Sequence, residues 1–372
     1  MKATAIYIEN FRNFFDVELE FDEKLNVIYG ENGQGKTNLL EAISLFSGDK
    51  SFRGVRDKNL VHIKRDSAEL ILAYKTRDRV NKMQININSK RETKLNDLPI
   101  KVGEDLAMKF HCVVFAPTHL SLIKDGPEKR RAFLDSCICQ ISPNYTNLLN
   151  QYERALFQRN SLLKNPSVKM MPQESIELHF GVWDTTLASL GSMIYKMRLR
   201  YIKELNKYAL ETYDQIAGNM EMLEVKYFST IFTEELSDVY QMKEIYEQSL
   251  KESIMDDLRV GYTQLGINRD DVEIKIAGQN ARNFASQGQQ RSAVLALKFA
   301  QCKILENALG EPPVILLDDV MSELDKKRQD FIINKVKDMQ VFITCCDKDE
   351  LKGMKGGKVF EVSCGIVTEE RQ

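Results

Sequence analysis

The sequence lacks the features that mark membrane, secreted and zinc-binding proteins. No apolar run in its 372 residues approaches the ~18 residues of a membrane-spanning helix, and a strand-like pattern stands where a signal peptide would. Seven cysteines are scattered without the C-x-x-C spacing of zinc sites. We therefore expect a cytoplasmic protein with reduced thiols and no membrane partner.

The chain also lacks a strong charge of either sign. Its formal net charge is −2, so a nucleic acid would have to bind a local basic patch rather than a general positive field. The length is enough to bury a large core and is typical of about two domains.

A phosphate-binding loop is the most specific pattern present. A β-branched run ends at Gly30, and an amphipathic segment over Thr37–Phe46 is stopped by Gly48. Glycines at such a loop let successive N–H groups point at phosphate oxygens, a lysine reaches the β- and γ-phosphates, and a threonine hydroxyl ligates Mg²⁺. The pattern G-x-x-x-x-G-K-T between the two segments predicts nucleotide ligands at Gly30, Glu31, Asn32, Gly33, Gln34, Gly35, Lys36 and Thr37.

A second pattern supplies two carboxylates at the end of a buried strand. Four apolar residues, Val314–Leu317, precede Asp318 and Asp319. This is the Walker B pattern. We assign Asp318 to the Mg²⁺ shell and Asp319, with Lys36, to catalysis, since Asp319 is placed to take a proton from attacking water.

The N-terminal residues Ala3–Phe21 alternate apolar and acidic side chains, which predicts a strand hairpin. Its corner holds Arg12, close in the chain to the phosphate-binding loop. Arg12 is either a nucleotide contact or a solvated turn arginine, and we carry it as a candidate nucleotide ligand.

A basic connection follows the loop and its helix. Arg53, Arg56 and Lys64 stand in a stretch with few acids, and they are candidate contacts to DNA phosphates. A solvated loop is the competing interpretation. Strands are predicted afterwards over 68–75, 81–88, 90–95 and 112–115.

From Gly126-Pro127 to about residue 265 strand signals nearly vanish, which predicts a helical region. Apolar residues there alternate steps of four and three, the spacing of a heptad seam. They are Ile176, Phe180, Trp183, Leu187, Leu190, Ile194, Met197 and Tyr201. The segment around 147–164 could face this seam. An arm packed on itself is favoured, and a helix that binds a partner is the alternative.

Strand character returns at Val272–Ile276, and a polar loop over Ala285–Arg291 precedes a predicted helix from Ser292 to Leu305. A capping pattern at Ser322–Asp325 predicts the start of the next helix. Two further strands, over 340–344 and 358–362, are expected to complete the sheet.

This order of motifs resembles the ABC ATPase head, in which a signature loop stands between the two Walker motifs. The signature normally has the sequence L-S-G-G-Q, and here Ala285-Ser286-Gln287-Gly288-Gln289 takes its place. The resemblance implies that Ser286, Gly288 and Gln289 cap the γ-phosphate of ATP bound by a second copy.

Five motifs narrow the resemblance to the RecF family of SMC-like ATPases. They are Glu9-Asn10-Phe11-Arg12-Asn13, the loop through Asn38, Gly126-Pro127 with Arg130–Asp135, Ser286–Arg291 and Leu316–Asp325. The resemblance implies an α/β fold, with an ABC-type (SMC-like) P-loop ATPase head and an inserted α-helical arm. Head residues would be 1–122 and 269–372, and arm residues 123–268.

What the resemblance implies for function is ATP-dependent DNA binding as a homodimer. Proteins of this family act with RecO and RecR in recombinational repair and replication. They help to load the recombinase at gapped DNA and support the SOS response.

The chain departs from general ABC heads at three positions. Cys345 stands where many heads have a switch histidine, no glutamine lies between Val113 and Ser121, and Asp319 replaces the usual glutamate. These departures predict slow hydrolysis, at most a weak DNA-stimulated ATPase. The alternatives are the ATPase subunit of a transporter and another SMC-like ATPase, although the arm is too short for a long tether.

Overall fold

The computed structural model describes residues 1–48, 50–77, 79–100, 106, 108–218, 221–347 and 356–370. The strands are β1 (Lys2–Phe11), β2 (Phe14–Glu20), β3 (Leu25–Tyr29), β4 (Ala68–Lys75), β5 (Val80–Ile87), β6 (Arg91–Leu95), β7 (Leu98–Ile100), β8 (Cys112–Phe115), β9 (Leu223–Phe228), β10 (Asp271–Ile276), β11 (Gln279–Asn280), β12 (Val314–Leu317), β13 (Val341–Cys345), β14 (Lys358–Ser363) and β15 (Ile366–Glu369). The α-helices are α1 (Lys36–Ser44), α2 (Ser121–Lys124), α3 (Pro127–Cys139), α4 (Pro143–Leu163), α5 (Pro166–Lys169), α6 (Gln173–Ala217), α7 (Val239–Glu252), α8 (Ile254–Val260), α9 (Ala281–Phe284), α10 (Gln287–Leu309) and α11 (Lys326–Lys335).

The residues group into two compact units. The first contains Met1–Ser121, Tyr208–Met222 and Ser286–Gln372, and the second contains Leu122–Lys207 and Leu223–Ala285. The three-part domain division expected from the sequence stays a prediction.

The first unit contains a mostly parallel sheet with the strand order β15-β14-β3-β13-β12-β8. All four residues of β12 and all five of β13 are buried. Strands covered on both faces are near-continuous apolar runs, which is why these segments show no alternation. The order brings the carboxyl ends of β3 and β12 to the same edge of the sheet, with β13 between them.

An antiparallel sheet, ordered β2-β1-β4-β5-β6-β7, completes the first unit. Helix α1 contacts both sheets, and its Leu39, Leu40 and Ile43 are fully buried in one core with Phe11 and Phe342. Burial of each such aliphatic side chain contributes about 1.5–3 kcal/mol relative to exposure. The phosphate-binding loop is thus tied to the core at both of its ends.

The second unit is mostly helical but contains a three-stranded sheet ordered β11-β10-β9. The expectation of a region nearly without strands was wrong at β9. Its six residues pair with β10, from Leu223 opposite Ile276 to Phe228 opposite Asp271. A short strand is stabilised by a partner distant in sequence, and local patterns do not reveal such a partner.

The heptad seam of the second unit lies on one 45-residue helix, α6. Five seam residues are buried and Trp183, Leu190 and Met197 are half-buried. The predicted facing helix is α4, whose buried Arg159 pairs with Asp184 of α6 (Nε–Oδ1 2.7 Å) and with Asp257 of α8 (2.6 Å). The seam is therefore covered within the unit, as the favoured interpretation predicted.

The predicted strands at the N-terminus, at Val272–Ile276 and at the C-terminal edge are confirmed. Two of the predicted helix starts were wrong. Helix α10 begins at Gln287 rather than at Ser292, because Ser286 caps it, and α11 begins at Lys326, because Asp325 and not Ser322 is its N-cap.

Candidate functional site

The phosphate-binding loop follows β3 and opens α1, as its pattern requires. Gly30 and Gly35 have φ of 148° and 123°. A Cβ at Gly30 would lie 2.3 Å from the carbonyl oxygen of Val362, and one at Gly35 would lie 2.7 Å from the side chain of Asn13. The Asn13 amide also donates to the Gln34 carbonyl at 2.7 Å. Close neighbours therefore hold the loop in its curled form.

Lys36 lies across this loop. Its Nζ donates to the carbonyl oxygens of Gly30 at 2.6 Å and Glu31 at 3.2 Å, and the side chain is almost fully buried. The ammonium group is thus held at the centre of the loop, where bound phosphates would meet it.

The two Walker motifs meet at Thr37 and Asp318. The Thr37 hydroxyl donates to Asp318 Oδ1 at 2.8 Å, and the Thr344 hydroxyl lies 3.2 Å from the same oxygen. Burial raises the pKa of Asp318 to about 6. The Thr37 hydrogen bond opposes that shift, and the neighbouring Asp319 carboxylate reinforces it. Asp319 has φ of 50°, a strained value for a side-chain-bearing residue, and its N–H donates to Thr344 Oγ1 at 2.8 Å.

These groups fit a magnesium ion. A hydroxyl and a carboxylate oxygen already lie together, and a cation would favour the charged form of Asp318 against the cost of burial. Among the residues that the structure describes, no three His, Cys, Asp or Glu side chains form a metal cluster. An ion at Thr37 and Asp318 would therefore complete its shell with phosphate oxygens and water, as Mg²⁺ commonly does.

A cavity of about 450 Å³ lies over the loop. Of the predicted nucleotide ligands and catalytic residues, Arg12, Asn32, Gly33, Gly35, Lys36, Thr37 and Asp319 line it. Gly30, Glu31, Gln34 and Asp318 are not among the lining residues, and they act on the site through the contacts described above. The sequence prediction missed six lining residues of this cavity, namely Asn13, Asn38, Asn59, Val61, Ile63 and Arg53, the last of which was a candidate DNA contact instead. Only Val61 and Ile63 among the lining residues are apolar, which makes their side suited to a base and the loop side suited to phosphates.

Arg12 is not a solvated turn arginine. It occupies the two-residue turn between β1 and β2 with φ of 54°, and its guanidinium forms two hydrogen bonds to Glu41, Nε–Oε2 at 2.8 Å and NH2–Oε1 at 2.9 Å. Its NH1 donates to the Asn59 carbonyl at 3.2 Å. The sequence prediction did not identify Glu41, although a carboxylate in the apolar helix α1 was a visible signal.

The signature residues Ser286, Gly288 and Gln289 are not among the described residues that line this cavity. They form the start of α10, where the Ser286 N–H donates to Gln289 Oε1 at 2.7 Å in a capping box. Arg328 of α11 donates to the Gly288 carbonyl at 3.1 Å. Side-chain hydrogen bonds thus fix the first turn of α10, and this turn does not contribute to the described lining of the chain's own cavity.

The sequence profile of the RecF/RecN/SMC N terminal domain matches residues 2–368. The DNA replication and repair protein RecF of Alkaliphilus oremlandii is 39% identical over 372 residues, which cover 99% of this chain and all of that one. The chain belongs to the RecF family.

A solved structure described as the recombination mediator protein RecF with ATP, in the RecFOR pathway, superimposes with a TM-score of 0.92. It is 35% identical, and the match covers 100% of this chain and 98% of that one. An SMC head bound to the C-winged helix domain of ScpA has a TM-score of 0.55 at 15% identity, over 100% of this chain and 97% of that one, and shares the fold. The predicted fold class, an ABC-type SMC-like ATPase head, is confirmed.

This RecF-family chain has a cysteine at the position where many ABC heads have a switch histidine. Cys345 is buried as the last residue of β13, so the side chain that reaches the loop is that of Cys346. Lys36 Nζ lies 3.9 Å from Cys346 Sγ, and the thiol donates to Asn32 Oδ1 at 3.3 Å. A thiol is a weaker hydrogen-bond donor than an imidazole.

The three candidate DNA contacts of this RecF-family chain separate in the structure. All three are exposed, but Arg53 lines the cavity and its NH1 donates to Asn38 Oδ1 at 2.9 Å. Arg56 and Lys64 do not line the cavity. In the described part of the chain no helix is long and apolar enough to cross a membrane.

Proposed function

We propose that this RecF-family chain is an ATP-dependent DNA-binding protein of recombinational repair and replication. The observation that carries the proposal is the hydrogen bond between Thr37 and Asp318, which joins the phosphate-binding loop to the Walker B carboxylate beneath one cavity. A hydroxyl, a carboxylate, a central ammonium group and a curled N–H loop are the parts that a magnesium–triphosphate complex requires.

In the proposed site, Lys36 neutralises the β- and γ-phosphates, while Thr37 and Asp318 hold Mg²⁺. The metal would supply charge stabilisation at the phosphate oxygens. Asp319 lines the cavity and lies next to Asp318, so we assign it as the group that orients water and accepts its proton. The short aspartate arm and the thiol of Cys346 are reasons to expect slow turnover.

The proposal includes a homodimer formed around ATP. Ser286, Gly288 and Gln289 begin a 23-residue helix whose N–H groups and positive dipole end suit a γ-phosphate. Since they do not line their own chain's cavity, we assign them to the nucleotide of a second copy. Head residues 1–122 and 269–372 would form this contact, with residues 123–268 as the inserted arm.

DNA is the proposed partner of the ATP-bound dimer, and hydrolysis is the proposed release step. The family's activities lead us to propose a cytoplasmic protein that acts with RecO and RecR. In this role it would help to load the recombinase at gapped DNA and support the SOS response. The related structure described as a recombination mediator in the RecFOR pathway supports this assignment.

Two measurements test the proposal. Duplex DNA should stimulate ATP turnover by the purified chain, and light scattering should report dimers with ATP and Mg²⁺ but monomers without nucleotide. Monomers at saturating ATP together with turnover indifferent to DNA would contradict it.

A further inference from the structure

A buried carboxylate on helix α1 has no part in the metal or phosphate contacts described above. Glu41 lies one turn beyond Thr37 and is fully buried. A buried charge is costly unless it is paired and hydrogen-bonded. Its partners therefore indicate why a carboxylate occupies this position in an otherwise apolar core.

One partner of Glu41 is Arg12, which it binds through both carboxylate oxygens. A guanidinium has five N–H donors, and the contacts to Glu41 and Asn59 use three of them. One hydrogen remains on each terminal nitrogen, on a side chain that lines the cavity. Glu41 thus fixes the plane of Arg12 and leaves donors for a nucleotide oxygen.

The turn that holds Arg12 is also bonded to the apolar wall of the cavity, the segment that carries Val61 and Ile63. The Arg12 N–H donates to the Leu60 carbonyl at 2.7 Å, and the His62 N–H donates to the Asn10 carbonyl at 2.7 Å. These bonds position Val61 and Ile63, the apolar lining residues. The orientation of Arg12 and the position of this wall are therefore coupled.

The second partner of Glu41 is Ser51, whose hydroxyl donates to Oε1. The same hydroxyl accepts the N–H of Arg53 at 3.2 Å. Arg53 lines the cavity and is bonded to Asn38, so one carboxylate anchors both cavity arginines, Arg12 directly and Arg53 through Ser51.

We propose that Glu41 is a positioning residue of the nucleotide site, which sets Arg12 and the Ser51–Arg53 segment against the bound triphosphate. This inference depends on the proposed function, since it assumes that the cavity binds ATP. It adds a carboxylate that touches neither nucleotide nor metal but orients two cations that line their site.

The test measures ATP affinity by calorimetry for wild type, Glu41→Gln, Arg12→Ala and the double variant. Glutamine keeps the volume but cannot accept both guanidinium bonds. We expect each single change to weaken ATP binding about tenfold. The double variant should be within about twofold of Arg12→Ala, because both changes remove the same contact.

A matched control separates positioning from general damage. Asp271 accepts two bonds from Arg130 in the second unit, at 2.7 and 2.9 Å. Asp271→Asn should lower the melting temperature and leave ATP affinity unchanged. Additive losses in the Glu41→Gln and Arg12→Ala cycle, or unchanged affinity in folded Glu41→Gln, would overturn the inference.

Ser51→Ala gives a second route if Glu41→Gln fails to fold, because it leaves no buried charge unpaired. We expect it to weaken ATP binding about threefold and to be non-additive with Arg53→Ala. Wild-type affinity in Ser51→Ala, or additivity with Arg53→Ala, would overturn the inference. If wild type itself does not bind ATP, the proposed function fails, and the inference fails with it.

Discussion

The Thr37 hydroxyl and the Asp318 carboxylate form a 2.8 Å hydrogen bond although 281 residues separate them in the chain. Thr37 lies at the start of α1, which follows β3, and Asp318 directly follows β12. Because β3 and β12 lie on either side of β13, parallel pairing brings the two side chains to one edge of the sheet. Thr344 of β13 lies between them and contacts both aspartates. The candidate nucleotide site is therefore a product of strand order.

Lys36→Ala should weaken ATP binding about a hundredfold, because it removes the ammonium group at the centre of the loop. ATP-dependent DNA binding should be lost with it. Calorimetry with Mg²⁺–ATP measures the first effect and a duplex-binding assay the second. Lys24→Ala, at an exposed position of the same unit, is the control and should match wild type. Wild-type ATP affinity in Lys36→Ala would contradict the site assignment.

Ser286→Arg should leave ATP binding intact and abolish dimerisation. The added bulk and charge would fill the position proposed for the partner's γ-phosphate, while the chain's own cavity is untouched. Light scattering with ATP and Mg²⁺ measures the dimer. Ser161→Arg, on an exposed part of α4, should still form dimers. A Ser286→Arg protein that dimerises normally would rule out the composite site.

The proposed DNA surface is tested by reversing the side-chain charges of Arg56 and Lys64 together. The salt dependence is the slope of the logarithm of the DNA-binding constant against the logarithm of the salt concentration. Each lost phosphate contact reduces the size of this slope by about 0.9, so the slope should fall by about 1.8, and the ATP affinity should not change. Arg53 is left in place because it lines the nucleotide cavity. Reversing Lys164 and Lys169, exposed in the second unit, should leave the slope as it is. An unchanged slope for the first pair would identify a solvated loop.

The second unit offers a test of stability alone. Arg159→Met would leave Asp184 and Asp257 buried without their cation, and loss of one partner of a buried pair costs about 3–5 kcal/mol. Arg154→Met, on the exposed side of the same helix, should change stability by less than about 0.5 kcal/mol. Urea unfolding measures both. Equal midpoints would show that the buried network contributes little.

Local sequence patterns could identify the motifs that lie entirely within one short segment of the chain. The phosphate-binding loop and the buried strand before Asp318 are examples, because spacing and composition within a few residues define them. The cap at Ser286 was also visible, since Ser286 and Gln289 have the spacing of a capping box. Treating the segment as a polar loop displaced the predicted start of α10.

Pairings between distant segments could not be inferred in this way. The bond between Arg12 and Glu41 depends on how the N-terminal hairpin packs on α1, and strand β9 depends on β10, more than forty residues away. Arg53 looked like a candidate DNA contact because its neighbours are basic. Only the fold shows that it lines the cavity over the phosphate-binding loop.

The two adjacent aspartates should have separable roles, one in Mg²⁺–ATP binding and the other in hydrolysis and release. Asp318 bonds Thr37 and is buried, whereas Asp319 lines the cavity and is half-buried. Asp318→Asn should therefore weaken Mg²⁺–ATP binding and yield little dimer. Calorimetry with and without Mg²⁺ measures this, and a metal dependence equal to wild type would contradict the assignment.

Asp319→Asn removes the basicity of the side chain but keeps its shape and one accepting oxygen. ATP binding should be spared and hydrolysis slowed at least about a hundredfold, since a general base contributes about 10²–10⁴ to a rate. Because hydrolysis is the proposed release step, this variant should accumulate as an ATP-bound dimer that dissociates slowly from DNA. Size-exclusion chromatography with ATP and Mg²⁺, beside a DNA dissociation assay, measures both properties. If Asp319→Asn leaves DNA as fast as wild type, release does not depend on hydrolysis.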